Sequence, residues 1–166
     1  MIIKKLSIEE IGNLMDFVND VEKIDLKCNN YLEVDQDFFK SSSKKNVICY
    51  GVFLNNCLMG YYLVDFEGIN PIMKKYDKWK DLDLKKCALI SSFLIHPHLR
   101  GKSLQLKLTQ IAEEEAESRG FSNIMVSVRN DNKFANVNFL KVGFKLFAES
   151  KELGFYDEMG FYKKSL

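Results

Sequence analysis

The sequence contains few of the residues from which metal and disulfide sites are built. Its 166 residues include only two histidines, which flank Pro97, and four cysteines. These cysteines (Cys28, Cys49, Cys57 and Cys87) form no C-x-x-C pair, and the spacing of a zinc site is absent. We therefore expect a protein without a metal ion, whose thiols stay reduced in the cytoplasm.

The chain also lacks a long apolar run, an excess of charge and a linker rich in proline or glycine. No stretch approaches the roughly 20 apolar residues that span a bilayer, and the first residues become charged too soon for a signal peptide. With 24 basic and 23 acidic residues the formal net charge is +1, which gives no global reason to bind nucleic acid or an acidic membrane. We expect one globular domain over residues 1–166.

The first half of the chain alternates strand and helix patterns. Residues 1–6 suggest a short strand, and Ser7 with Glu10 resembles a capping box. The helix that follows would carry its apolar residues on one face (Ile11, Leu14, Met15 and Val18). A weaker helix is expected over Tyr31–Lys40, and strands Val47–Leu54 and Leu58–Phe66 flank the hairpin signal Asn55-Asn56.

The second half predicts a regular alternation of elements. These are a strand Ala88–Ile95, a helix Ser103–Arg119 ended by Gly120, a strand Asn123–Val128, a helix Asn132–Val142 ended by Gly143, and strands Phe144–Phe147 and Phe155–Tyr162. The glycines suit the left-handed residue that ends many helices. Together these patterns predict an α/β domain with helices packed on a mixed central sheet.

The most informative segment is the loop between the strand at 88–95 and the helix after it, which reads IHPHLRGKSLQ over residues 95–105. Loop amides ahead of a helix start, together with the helix dipole, favour an anion, and Arg100 and Lys102 add two charges. The loop is therefore suited to a phosphate or pyrophosphate. A nucleoside-triphosphate P-loop would need glycine where His96 stands, and a dinucleotide-binding turn would need three glycines where this loop has one.

A second segment, NKFANVNFLKVGF over residues 132–144, accompanies this loop. The two together resemble the GNAT superfamily of acetyl-CoA-dependent N-acetyltransferases. The loop matches an apolar strand, His-Pro and R-G-x-G-x-G/A, and the second segment matches N-x-x-A-x-x-x-Y-x-x-x-G-F. The resemblance is specific over about residues 88–147. It implies a GNAT-like (acyl-CoA N-acyltransferase) fold, with a mixed sheet of about six to seven strands flanked by about four helices.

The resemblance also implies where the cofactor, acetyl-CoA, binds. The pyrophosphate of coenzyme A would bind to the amides of the loop (Arg100, Gly101, Lys102, Ser103, Leu104 and Gln105). The pantetheine arm would pair like an added strand with the backbone of Phe93, Leu94 and Ile95, where the strand 123–128 would diverge. Asn132, Phe139 and Lys141 would lie along the cofactor.

The implied reaction moves an acetyl group from acetyl-CoA to a primary amine of an unidentified small molecule or protein. A deprotonated amine would attack the thioester directly, and a backbone amide near Leu94 or Ile95 would stabilise the oxyanion. The amine acceptor would approach over residues 20–40 and 68–86. No nucleic acid or membrane partner is expected, and the oligomeric state is left open between a monomer and a homodimer.

The chain departs from the family pattern at three positions. Ser103 and Gln105 replace small residues of the loop, and Phe139 replaces the tyrosine that many members use to return a proton to the thiolate. Asp65 and Glu67 are candidate general bases. Tyr156 and Tyr162 are candidate acids. The departures also keep open an alternative, a catalytically degraded acyl-CoA-binding sensor or interaction module.

Overall fold

A computed structural model describes residues 1–25, 39, 46–67, 82–153 and 158–166 of the chain. The helix expected over Tyr31–Lys40 lies outside these residues, apart from the buried and helical Phe39. Residues 68–81 and the candidate acid Tyr156 also lie outside them.

Seven strands and four α-helices lie within the described residues. The strands are β1 (Ile2–Lys5), β2 (Val47–Leu54), β3 (Cys57–Asp65), β4 (Cys87–Ile95), β5 (Asn123–Arg129), β6 (Lys145–Glu149) and β7 (Met159–Ser165). The helices are α1 (Ile8–Gly12), α2 (Leu14–Ile24), α3 (Leu104–Ser118) and α4 (Lys133–Lys141). Short 3₁₀ turns lie at Leu84–Lys86, Pro97–Leu99 and Ser150–Leu153. None of the helices in the described ranges is long and apolar enough to cross a membrane.

The strands form one mixed sheet in the order β1-β2-β3-β4-β5-β7-β6. The pairs β1–β2, β2–β3, β5–β7 and β6–β7 are antiparallel, and β4–β5 is parallel. A parallel pair needs a crossover connection, which here contains α3. The predicted α/β class with a mixed sheet is confirmed. The last strand begins later than predicted and runs beyond Tyr162 to Ser165.

Local signals in the sequence set most of the element ends. Ser7 and Glu10 form the predicted capping box, with Glu10 N donating to Ser7 Oγ (3.1 Å) and Ser7 N donating to Glu10 Oε2 (2.7 Å). The predicted first helix is interrupted at Asn13, which separates α1 from α2, yet Ile11, Leu14 and Val18 are all buried as predicted. The apolar face thus survives a break that the 3.6-residue period did not indicate.

Asparagine or glycine takes the left-handed backbone at the β2–β3 hairpin and after two helices. Asn55 (φ +50°) and Asn56 (φ +64°) join β2 to β3, in the two-residue hairpin turn that asparagine tolerates. Gly120 (φ +78°) and Gly143 (φ +92°) follow α3 and α4. At the first of these, Phe121 N donates to Ala116 O (3.0 Å) and satisfies a carbonyl of the last helical turn.

The chain forms two compact units, residues 1–65 with 92–108 and residues 66–91 with 109–166. The core of the first unit is aliphatic and aromatic (Ile11, Leu14, Val18, Val21, Phe39, Cys49, Tyr61, Leu63 and Leu94). A core cluster of the second unit contains Leu84, Cys87, Met125, Ala148 and Phe161. Four inward residues predicted for α3 are buried (Leu104, Leu108, Ala112 and Ala116), and Ile111 is half-buried. The single domain expected over residues 1–166 stays a prediction.

One buried polar pair lies in the core of the first unit. The hydroxyl of Tyr61 on β3 and that of Ser92 on β4 are hydrogen-bonded at 2.8 Å. The Tyr61 ring is fully buried and packs edge to face with Phe17 and Phe39. Burial raises the pKa of Tyr61 well above its ordinary value. The phenol can therefore act as the donor in this pair.

We expect Tyr61→Phe to lower the free energy of unfolding by about 1–2 kcal/mol, because the Ser92 hydroxyl would then be buried without its partner. Ser92→Ala in the Tyr61→Phe background should recover part of this loss. Urea unfolding of the two single variants and the double variant measures the coupling. Strictly additive losses would contradict an energetic role for this hydrogen bond.

Candidate functional site

The loop from His96 to Gln105 joins β4 to α3. Its first half folds on itself, because Leu99 N donates to His96 O (2.9 Å) and Arg100 N donates to Pro97 O (3.1 Å). His96 Nδ1 accepts from His98 N (3.3 Å) and caps this 3₁₀ turn. The two imidazole rings lie edge to face, 4.9 Å apart. The turn therefore fixes the direction in which the second half of the loop leaves β4.

The second half of the loop alternates into the left-handed region. Gly101 has φ +75° and Ser103 has φ +57°, and such alternation turns successive N–H groups toward one concave side that attracts anions. The helix α3 begins directly after Ser103, and Lys107 N donates to Ser103 O (3.2 Å). The N–H groups of its first turn therefore point toward the loop. Residues 101–105 thus have a backbone geometry that favours an anion, at the start of a 15-residue helix. We name them the anion-binding turn, and the binding of a phosphate there stays a prediction.

The two altered positions of the loop have different environments. Ser103 adopts the backbone conformation for which glycine is best suited, and its side chain is exposed. Gln105 is half-buried and its Nε2 is shielded from solvent, so its side chain turns into the protein. A Cβ added to Gly101 would meet none of the described atoms within 4 Å. The space beside this residue is open, which suits the close approach of a phosphate group.

The two cations of the loop differ in their contacts. Arg100 forms an ion pair with Asp25, at the end of α2, through Nη1 and Oδ2. Its Nε donates to the Ile95 carbonyl (3.2 Å). Lys102 is exposed. Arg100, one of the two cations predicted to bind a phosphate, thus already contacts oxygen atoms of the protein.

The backbone of β4 has a defined direction where it approaches the loop. His96 N donates to Met59 O (2.9 Å), across to β3. A Cβ placed on Gly60 would lie 3.0 Å from Leu94 O, so this carbonyl also faces β3. Because backbone groups of successive strand residues point to opposite edges, those of Phe93 and Ile95 face the edge opposite β3.

The pairing of β4 with β5 covers only part of each strand. The parallel register runs from Cys87↔Asn123 to Ile90↔Val126, four residue pairs in strands of nine and seven residues. The pairing of β5 with β7 extends further, to Arg129↔Met159. The divergence expected after the first part of β4 is compatible with these registers and stays a prediction.

The second segment of the resemblance lies on the helix α4. Asn132 is the N-cap residue, and its Oδ1 accepts from Ala135 N (3.2 Å). Phe139 is fully buried, with its ring 5.2 Å from that of Phe144, whereas Lys141 is exposed. Contact of these residues with a cofactor stays a prediction.

The candidate catalytic residues are placed as follows. Asp65 is the last residue of β3 and is half-buried, and Glu67 lies two residues beyond and is exposed. Tyr162 on β7 is buried, which raises the pKa of its phenol. The roles of Asp65 and Glu67 as bases, and of Tyr156 as an acid, stay predictions.

No pattern in the sequence indicated the contacts of Asp25, at the end of α2, and Asn136, in α4. Asp25 lies 75 residues before its partner Arg100, so no local pattern could indicate the pair. Asn136 donates through Nδ2 to Arg129 O (2.9 Å) and Asn132 O (3.0 Å), which holds the turn from β5 into α4. Its position inside the motif could have suggested such a role, since asparagine often satisfies backbone groups at turns.

One family model matches most of the chain. Residues 16–144 match the family model described as acetyltransferase (GNAT) family. No curated protein matches the chain significantly. A GNAT-family acetyltransferase from Listeria monocytogenes has a similar structure, with a TM-score of 0.73 at 14% identity, over 99% of this chain and 94% of that one.

Two further solved structures are similar over nearly the whole chain. The PaiA N-acetyltransferase of Thermoplasma acidophilum, in complex with coenzyme A, has a TM-score of 0.71 at 16% identity, over 100% of both chains. The ribosomal-protein-S18-alanine N-acetyltransferase of Escherichia coli has a TM-score of 0.67 at 12% identity, over 99% of this chain and 92% of that one. At these identities the structural likeness shows the fold.

We expect Ser103→Gly to raise the free energy of unfolding by about 0.5–1 kcal/mol, because glycine adopts φ +57° without the strain that a Cβ brings. Ser118→Gly is the matched control. That exposed serine lies in α3, where glycine should instead destabilise by about 0.5–1 kcal/mol. Thermal unfolding of both variants measures whether each substitution raises or lowers the free energy of unfolding. A loss at Ser103 would contradict a strained left-handed serine.

The loop should also lose stability in mild acid. Partial burial, His98 and Arg100 lower the pKa of His96, so folding favours the neutral imidazole whose Nδ1 accepts from His98 N. This stability is complete above the unfolded pKa of about 6.5 and is lost as the pH falls through the lower folded pKa. His96→Asn keeps a side-chain acceptor for His98 N but has no group that titrates in this pH range. Its unfolding free energy should therefore fall less than that of the wild type between about pH 7 and 5, and equal slopes would refute the assignment.

Proposed function

Since the chain belongs to the GNAT acetyltransferase family, we propose that it transfers the acetyl group of acetyl-CoA to a primary amine of a small molecule or a protein. The family model matches residues 16–144, which include the whole of the anion-binding turn. The transfer would take place in a ternary complex, with the amine attacking the thioester directly.

The observation that carries this proposal is the left-handed turn at Gly101 and Ser103, directly before α3. Its N–H groups, the positive end of the helix dipole and the exposed Lys102 combine at one place. A pyrophosphate carries the charge and the acceptor oxygens that such a turn binds. The neutral remainder of coenzyme A would follow the chain back toward β4.

The direction of the β4 backbone narrows the choice of an oxyanion donor. The backbone carbonyl of Leu94 faces β3. The Ile95 N–H lies on the opposite edge of β4, and we propose it as the donor to the thioester oxyanion. The backbone groups of Phe93 lie on the same edge and would pair with the pantetheine arm. Leu94 would then contribute its buried side chain to the core instead of its backbone to the cofactor.

The remaining assignments follow the family motif. Asn132 would use its side-chain N–H groups toward the cofactor, since its Oδ1 caps α4, and Phe139 and Lys141 would lie near the same arm. Asp65 and Glu67 would draw the proton from the amine, directly or through water. Tyr156 would return a proton to the thiolate. A thiol pKa of about 8.5 also lets the thiolate leave without an acid.

One observation favours a second candidate, an acyl-CoA sensor without catalysis. Phe139 has no ionisable group where many relatives have tyrosine, and its ring is fully buried against Phe144. The position that usually supplies the acid is here part of the core. Binding of acetyl-CoA without transfer to any amine would be the property of such a sensor.

Titration calorimetry with acetyl-CoA, followed by thiol-release assays on a panel of amines, separates the two candidates. We expect binding, and release that depends on an amine. Lys102→Ala should weaken binding by about fivefold, as loss of one charge-assisted contact to a phosphate would. Lys85→Ala removes an exposed lysine of the turn before β4 and should change nothing. Absence of binding by the wild type would reject both candidates.

The assignment of the base has its own test. We expect Asp65→Asn or Glu67→Gln to lower kcat/KM by at least about tenfold and to alter its acid limb, since general bases contribute factors of about 100 or more. Glu149→Gln, an exposed residue at the end of β6, is the control. Unchanged turnover and pH profiles in both variants would exclude these carboxylates as bases.

A further inference from the structure

The end of α2 is tied to the anion-binding turn by one ion pair. We propose that Asp25 is a positioning residue for the cofactor site: its carboxylate holds the Arg100 guanidinium on the Ile95 carbonyl, so that Arg100 shapes the edge of β4 instead of binding a phosphate. This inference rests on the proposed function. It assigns a role to a residue outside both segments of the family motif.

The contacts of Arg100 use two parts of its guanidinium. Nη1 pairs with Asp25 Oδ2, and Nε donates to Ile95 O (3.2 Å). The Asp25 side chain retains 20% of its exposure and that of Arg100 retains 44%. All three residues belong to the first compact unit. A guanidinium is a rigid planar fork, so fixing one nitrogen on a carboxylate also orients the others.

Asp25 lies where a helix disfavours an aspartate. The residue is the C-cap, where the helix dipole disfavours a negative charge. Its backbone N–H already donates to Val21 O (2.9 Å), so the helix end needs no help from the side chain. Arg100 supplies the positive charge that offsets this unfavourable placement. The carboxylate is therefore in contact with the loop at a place that is unfavourable for the helix.

The position of the Arg100 contact bears on catalysis. Ile95 O lies on the edge of β4 opposite β3, the same edge as the Ile95 N–H proposed for the oxyanion. With the guanidinium on this carbonyl, the pantetheine arm would pair with the Ile95 N–H and the Phe93 carbonyl, in one register. The Asp25–Arg100 pair has no net charge, which leaves the phosphates to the loop amides and Lys102.

Variants of Asp25 and Arg100 test the proposal, because it predicts weaker and not tighter binding of acetyl-CoA in each. Calorimetry with acetyl-CoA should show Asp25→Asn and Arg100→Gln each binding about fivefold more weakly, with the double variant no weaker than either single one. Arg100→Lys keeps the charge but not the fork and should resemble Arg100→Gln. Asp20→Asn removes an exposed carboxylate of the same helix, paired with Lys23, and should change nothing.

A donor without phosphates gives a second readout. Thiol release from S-acetylpantetheine should fall by the same factor as release from acetyl-CoA in both single variants, because the proposed effect acts at Ile95. A loss confined to acetyl-CoA would instead identify Arg100 as a phosphate ligand and overturn the proposal.

The outcomes also separate failure of the Asp25 role from failure of the proposed function. Tighter binding by Asp25→Asn would show that Asp25 competes with a phosphate for Arg100, and it would overturn the positioning role alone. Full binding by Arg100→Lys, or additive losses in the double variant, would do the same. A wild-type protein that binds no acetyl-CoA would overturn the proposed function and this role together.

Discussion

The hydrogen bond from His96 N to Met59 O determines how the candidate site is built. It secures the end of β4 against β3, where Gly60 leaves no room for a Cβ beside Leu94 O and Ile95 Cδ1. The backbone of Ile95 is thereby turned to the opposite edge, and the chain enters the 3₁₀ turn at Pro97 in a fixed direction. The left-handed turn, the start of α3 and the Arg100 contact to Ile95 come directly after this point in the chain.

In this loop, backbone N–H groups and not a cluster of charged side chains are the main feature that favours an anion. The chain as a whole is nearly neutral, and one of its two loop cations is paired with Asp25. What remains attractive to an anion is the arrangement of N–H groups around Gly101 and Ser103 with the dipole of α3 behind them. Serine at a left-handed position costs about 1 kcal/mol, which the surrounding turn must offset.

Much of the fold could be predicted because local and periodic signals were strong. The capping box at Ser7, the asparagine hairpin and the glycines after α3 and α4 each depend on neighbours within a few residues. The break at Asn13 could not be read in the same way, because the apolar period continues across it. In the candidate site, the turn-forming residues were recognisable as a motif, whereas the inward direction of Gln105 depends on packing around α3.

The class of the fold, the match of two segments to the acetyltransferase family and the prediction of a phosphate site at residues 100–105 could be drawn from the chain alone, since each depends on patterns within single segments. Three features became known from the folded structure: Arg100 pairs with Asp25, the backbone groups of Ile95 and not those of Leu94 face away from β3, and Phe139 is part of the core. These features depend on which strands and helix ends meet in space, and a contact such as that between Asp25 and Arg100, across 75 residues, leaves no local pattern in the sequence.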